Sequence, residues 1–340
     1  MKLILLFILA LTTAALAQPT FRINTLVGRS ELTAREKSDV EEYAAGWAEA
    51  LNTKDAAQLI KARRQLIDPI DERWHMTEVV RTIYGRSLRR AFEPLLDQSN
   101  DNQMAAVNAL QVLSMLGTEQ SLSVLMRHAD INTEPRSAVR HWASIGLGRV
   151  LSSGRLPMRR IRGNAQVVAD GIAREPEWYV ISRQFDALAS LPRTQGLSRV
   201  DREALRKLSL NLQADAVIAL VAAIAENDEP DERMQAARAS IASLRLQLME
   251  PSLDAAIRRS VLDALSPTLV ELAGVIVEQG DAARSDDTVR NAYGGTLEII
   301  GVLMQHQTGK DQGDLRAAWN NGDSDTIMAS ISSWPSSESP

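Results

Sequence analysis

The side chains able to do chemistry are few in this sequence, and they are not grouped in catalytic spacings. His75, His128, His141 and His306 are the four imidazoles, and no two of them stand at i, i+4 or in an HExxH frame. A zinc helix needs that spacing to bring two ring nitrogens to one face, so each is read as a surface or interface residue. Cysteine is absent, which excludes thiolate ligands, thiol nucleophiles and disulfides together. Asp97-Gln98-Ser99-Asn100-Asp101 copies the first half of a calcium loop. Its sixth and twelfth positions hold Asn102 and Asn108, where such a loop uses Gly for the turn and Glu as bidentate ligand; the segment is read as a polar turn. Gly146-Leu147-Gly148 lacks the third glycine and the preceding strand of a phosphate loop. No GxSxG elbow marks a serine nucleophile. The expectation is a chain with no catalytic residues, no cofactor and no metal.

Charge is more informative. Between Arg127 and Arg162 stand eight arginines against Asp130 and Glu134, whereas Glu226 to Glu232 (ENDEPDE) carries five acids. Arg155, Arg159, Arg160 and Arg162 form the densest part and are the candidate binding patch for a charged protein partner. The same asymmetry also permits head-to-tail self-association. The bland alternative for RLPMRRIRG is a solvated loop. With 38 basic and 43 acidic residues, the chain lacks the basic footprint of a nucleic-acid binder.

The elements that must position these groups are helical. Aromatics make up 4% of residues, so the apolar content is mostly aliphatic, which suits helix-on-helix packing better than a β-sandwich or a sugar-stacking cleft. Thr33-Ala-Arg-Glu36 is a capping box opening a helix to about Leu51. Asp55 caps a second that ends near Asp68-Pro69, and a third runs from about Thr77 to Leu96. The segment 103–116 is apolar on most sides, as a helix buried between neighbours is; Gly117 stops it and Thr118 caps the next. After a loop, Val139, Trp142, Ala143, Gly146 and Val150 form one stripe. Further helices are expected at about 164–174, 177–190, 199–226, 231–249, 252–265, 268–279, 286–306 and 324–332. The six Trp (47, 74, 142, 178, 319, 334) are read as packing residues, although Trp74-His75 and His141-Trp142 could line a groove.

Four of these segments share a box of an apolar residue followed by Arg, then an apolar residue at +4, a small one at +7 and Leu at +8. They are Val80-Arg81-x-x-Tyr84-x-x-Ser87-Leu88, Val139-Arg140-x-x-Ala143-x-x-Gly146-Leu147, Ile257-Arg258-x-x-Val261-x-x-Ala264-Leu265 and Val289-Arg290-x-x-Tyr293-x-x-Thr296-Leu297. Positions 0, +4, +7 and +8 lie on one helix stripe, so Tyr84 and Tyr293 are expected to anchor the core. Arg at +1 sits on the shoulder, its stem packed and its head able to reach a carboxylate or a loop carbonyl. Packing alone leaves the two tyrosine hydroxyls unexplained.

From Ala105 to Leu151 the chain reads AAVNALQVLSMLGTEQSLSVLMRHADINTEPRSAVRHWASIGLGRVL. Leu116-Gly117-Thr118 at a turn, then Leu122, Leu125 and Asp130, then Val139-Arg140-x-x-Ala143 and Leu147-Gly148, resemble the HEAT-repeat pattern, particularly its short bacterial type. The gap from Asp130 to Val139 is longer than the family's, INTEP filling it. The resemblance covers one clear repeat and the scattered boxes. It implies an all-α, HEAT-like α-solenoid, and it implies that Asp130 pairs with Arg140 in a ladder between repeats, with Arg81, Arg258 and Arg290 in the equivalent structural positions.

The first residues, MKLILLFILALTTAALAQPT, have the layout of a cleaved export signal, with Ala15-Leu16-Ala17 as the exit. The apolar run is shorter than the roughly 20 residues a membrane span needs. Cleavage after Ala17 removes Lys2 and takes the formal net charge from −5 to −6. The expected organisation is a signal over 1–17, an extended segment over 18–29, one helical-repeat domain over 30–333 and a disordered tail over 334–340, in an exported protein that does not stay inserted in a membrane. Function then reads as protein binding or scaffolding, because stacked repeats present long surfaces for recognition. The competing reading is an enzyme on an α/α scaffold acting on cell-envelope or extracellular polysaccharide, and a third is an array that only spaces other components.

Overall fold

A computed structural model describes residue 19 and residues 21–334; the expected signal and the end of the expected tail lie outside the described residues. Fifteen α-helices account for the regular structure, with no strand among the described residues. They fall into two compact units, divided between Ala109 and Leu110.

The first unit holds α1 (Ala34–Leu51), α2 (Ala56–Ile67) and α3 (Glu78–Leu96), together with the start of α4 (Gln103–Leu116). The starts follow the caps: Thr33 and Glu36 close a full capping box, Asp55 accepts from Ala57 and Gln58 N–H, and Thr77 accepts from Val80 N–H. Each such cap satisfies donors that the first turn leaves unpaired. α1 packs on both α2 and α3, burying Val40, Tyr43, Trp47, Leu66, Tyr84 and Phe92. The segment before α1, expected to be extended, instead makes a single 3-10 turn over Ile23–Thr25 and buries Ile23, Leu26 and Val27. Three apolar residues within five positions cannot all be sheltered by a straight strand with one face on the core.

The second unit continues through the rest of α4, α5 (Glu119–Ala129), α6 (Ser137–Leu151), α7 (Met158–Gly171), α8 (Trp178–Ala189), α9 (Arg199–Ala225), α10 (Met234–Leu248) and α11 (Ala255–Glu278). α12 (Gly280–Arg284), α13 (Asp287–Thr308), α14 (Leu315–Asn320) and α15 (Ser324–Ser332) complete it. Inside this unit, α6 packs on α8, α8 on α10 and α10 on α13, while α7 packs on α9 and α9 on α11. α6 and α8 run in the same direction, since Arg140 meets Glu175 at one end and Gly148 meets Ala187 at the other.

α12 and α14 fall where the sequence reading placed no helix, and several boundaries differ. α7 starts at Met158, so Arg159, Arg160 and Arg162 stand on a helix while Arg155 stays in the loop before it; Ile161, Ala165 and Val168 are buried at helical spacing and carry the apolar stripe one turn earlier. The segments expected at 252–265 and 268–279 are one helix, with Pro267 inside it. Proline there removes one bond to the carbonyl of Asp263, and Asp263 is exposed, so water can take that carbonyl. Trp334, assigned to the tail, is buried and donates its indole N–H to Gln312.

α9 and α11 are long and apolar enough to cross a membrane; 56% and 50% of their most apolar windows are buried within the protein.

Candidate functional site: the α6–α8 groove and its arginines

The Val-Arg boxes resolve into packing units of unequal quality. Val80, Tyr84 and Leu88, and likewise Val139, Ala143 and Leu147, are fully buried; Ile257 is only half-buried and Ala264 exposed. The hydroxyls left unexplained are hydrogen-bonded. Tyr84 donates to the Leu66 carbonyl at 2.8 Å, beside Tyr43, which donates to that of Gln65 at 2.6 Å. Both carbonyls belong to the last turn of α2, which has no helical partners for them. Tyr293 donates to Gln279 Oε1 at 2.6 Å and accepts from the Asp231 N–H at 3.0 Å. Burial pushes the Tyr84 and Tyr293 phenols up.

The box arginines behave as shoulder residues. Arg258 donates to the Leu248 and Glu250 carbonyls, Arg290 pairs with Asp287 on its own helix, and Arg81 is buried at 4% exposure. Arg140 is the deepest of them, at 1% exposure. The resemblance led to the expectation that it pairs with Asp130, and this is corrected: Nε and Nη2 grip Glu175 at 2.8 Å each, while Nη1 donates to the Glu134 and Pro135 carbonyls. Asp130 instead closes a turn, its Oδ1 accepting from the Asn132 backbone and side chain. The longer loop is the cause, because INTEP delivers two carbonyls to the guanidinium where a shorter loop would deliver an aspartate.

Sequence reasoning missed the buried acids around this arginine. Glu134, at 0% exposure, accepts from Arg136 and from His128 Nδ1 at 2.8 Å. Burial pushes its carboxyl up, but the hydrogen bonds from Arg136 and His128 and the Arg136 charge outweigh it and hold the carboxyl down at about 2. A signal for these acids does exist in the sequence. Glu134, Glu175 and Asp231 each stand three residues before a helix that has no side-chain N-cap, namely α6, α8 and α10. Each carboxylate accepts the backbone N–H two residues on, from Arg136, Glu177 and Arg233 respectively. The acid thus caps from outside the usual position, which a search for Ser, Thr, Asp or Asn at the N-cap overlooks.

Between α6 and α8 lies a groove of about 380 Å³ whose lining includes Arg149, Arg183 and Arg193, with Asp186 as its one acid. Its floor is narrow because Gly148 has no side chain; a Cβ there would sit 3.3 Å from the Ala187 Cα. Arg183 pairs with Asp186 at 2.7 Å, while Arg149 donates to the sulfur of Met115. None of the four arginines of the predicted patch lines this groove; Arg160 stands instead with Glu119, Gln120 and Ser123 of α5. The loop before α7 touches the segment after α8 through Gln195 N–H to the Ser152 carbonyl at 3.1 Å, while the Arg155 side chain lies against Gly117, at the turn between α4 and α5. Arg159, Arg160 and Arg162 follow on the first two turns of α7, all exposed, and Arg160 makes an ion pair with Glu119 at 3.2 Å. The N-cap of α7 is Pro157, which offers no side-chain acceptor, so arginines crowd the positive end of a helix dipole. Arg183 and Arg193 were not foreseen, since they enter the groove from another helix.

At the opposite end of α6 and α8, His141, Trp142, Trp178 and Tyr179 form a half-buried cluster with ring centroids 5.7–6.1 Å apart. Burial pushes the His141 imidazole down, against its hydrogen bond to the Tyr179 carbonyl. Trp74, the other groove candidate, stands 39% exposed beside His75, whose backbone is left-handed at φ 49°. Among the described residues no group of three or more His, Asp or Glu is placed to hold a metal ion.

Comparison with protein-family models, with characterised proteins and with solved structures finds no match for this chain.

Proposed function

We propose that this chain is a non-catalytic recognition module of HEAT-like α-solenoid type, and that it binds an acidic segment of a protein partner along the α6–α8 groove. The observation that carries the reading is the groove itself: three arginines face one aspartate, and the exposed Arg155, Arg159 and Arg162 add charge of the same sign elsewhere on this unit. Clustered charge of one sign steers and holds an opposite partner more than it stabilises a fold. The repeat reading is supported by the two rows, α6–α8–α10–α13 and α7–α9–α11, and by the acid that recurs before three successive members of the first row. Export with removal of residues 1–17 belongs to the same proposal, and N-terminal sequencing of the protein recovered from its cells should begin at Gln18.

The test is fluorescence polarisation with a labelled Asp/Glu-rich peptide and its Asn/Gln counterpart. The acidic peptide should bind, more weakly as salt rises, and the neutral one should not. The pair Arg149→Glu and Arg193→Glu should cost more than about tenfold in affinity, whereas Arg159→Glu with Arg162→Glu should act mainly on the association rate. Binding that ignores the groove reversal would overturn the proposal.

A further inference from the structure

A second cavity, of about 300 Å³, opens among α5, α6, α7 and α8 and shares no lining residue with the arginine groove. Its walls are apolar, with Met126, Leu147 and Val168 facing inward, and Val167, at 56% exposure, stands where it meets solvent. That volume lies at the small end of ligand sites, which combine apolar walls with a few placed polar groups.

Gln184 supplies the polar group. It lines the cavity at 5% exposure, and its Nε2 donates to the Ala129 carbonyl at 3.4 Å. That contact fixes the amide, because the flipped form would set two carbonyl oxygens together. The Oε1 atom is then buried with no hydrogen-bond partner among the described residues. An unmet buried acceptor is unfavourable, and a donor brought to it recovers the loss. The other buried polar group of the lining, Glu175, makes no such demand: both its oxygens are taken by Arg140 and the Glu177 N–H. Around the opening stand Arg127 and Arg174, both exposed, against Asp130 with one oxygen already bonded to Asn132. Arg174 spends one nitrogen on the Asp170 carbonyl and makes no ion pair among the described residues.

We infer that this cavity binds a small, mainly apolar molecule that carries an O–H or N–H donor at its inner end and a carboxylate at its outer end. The donor meets Gln184 Oε1, the apolar body fills the space between Leu147 and Val168, and the carboxylate meets Arg127 and Arg174. This site stands apart from the acidic-segment reading and survives its failure.

Titration calorimetry with three probes tests it: 4-hydroxyphenylacetate, phenylacetate without the donor, and 4-hydroxyphenethyl alcohol without the carboxylate. The first should bind in the millimolar range or tighter, and each of the others about tenfold more weakly, the value of one hydrogen bond. Gln184→Leu should erase the advantage of 4-hydroxyphenylacetate over phenylacetate, and Arg127→Ala with Arg174→Ala its advantage over the alcohol. Val167→Trp, on an exposed position that leaves folding intact, should close the opening and abolish binding of all three without moving Tm. That variant keeps the inference testable if Gln184→Leu fails to fold. Absence of binding by all three probes, equal affinity for all three, or binding that persists in Val167→Trp would each overturn it.

Discussion

Two copies of one sequence box, at Val139 and at Val289, end in opposite solutions. Around Val139 the arginine goes inward: Arg140 is buried and holds Glu175 while two loop carbonyls complete its shell. Around Val289 the arginine stays outside on Asp287, and the interior is closed by rings, with Trp319 stacked on Tyr293 at 6.0 Å and Arg284 lying over the indole at 4.7 Å. Gly294 makes the room, since a Cβ there would meet Trp319. The comparison teaches that a box specifies a packed stripe and leaves the means of closure to its neighbours. Closure by charge needs acids at fixed places and leaves a cavity beside them; closure by rings fills the space.

The sharpest way to break this contrast is Arg140→Met. It strands the Glu175 carboxylate in the interior, and urea unfolding should show a loss of about 3–5 kcal/mol, as removal of one partner of a buried pair does. Arg140→Met with Glu175→Leu should recover most of it, because an apolar pair of similar volume has no charge to desolvate.

Acid should act on the same region next. The Glu134 carboxyl is held at about 2 in the fold against 4.5 for the free group. A folded value below the unfolded one means that its contribution is complete above pH 4.5 and fades as pH falls toward 2, by on the order of 1–3 kcal/mol. Trp142 and Trp178 fluorescence should report that loss before Trp319 does, and Glu134→Gln should flatten the dependence.

The smallest effect belongs to the other copy. Arg290→Ala removes a half-exposed pair within one helix and should change stability by less than about 0.5 kcal/mol, the scale of such surface pairs. A larger loss would mean that the two boxes are closer in kind than their geometry suggests.

The helices were legible because their signals are local. Thr33, Asp55, Thr77 and Thr118 cap where their side chains predict, and the apolar periodicity of 103–116 places a helix whose Ala105, Leu110, Leu113 and Leu116 are fully buried. What escaped the sequence is assembled across it. Glu175 lies 35 residues from Arg140, Gln184 lies 55 from Ala129, and Arg193 joins Arg149 only because α6 and α8 are parallel neighbours. The Asp130 expectation failed through length alone: five loop residues moved the acceptors, and the arginine took the nearest ones.

The close approach of Gly148 to Ala187 has a mechanical side. α6 and α8 are pinned at one end by the Arg140–Glu175 fork and at the other by that contact and by the Ser190 hydroxyl on the Gly148 carbonyl. A beam fixed at both ends cannot open like a jaw, so the spacing between the arginines on its two rails is set before any partner arrives. On the proposed reading, a partner must match the gauge of the groove, and selection among acidic sequences becomes a matter of distance between charges as well as their number.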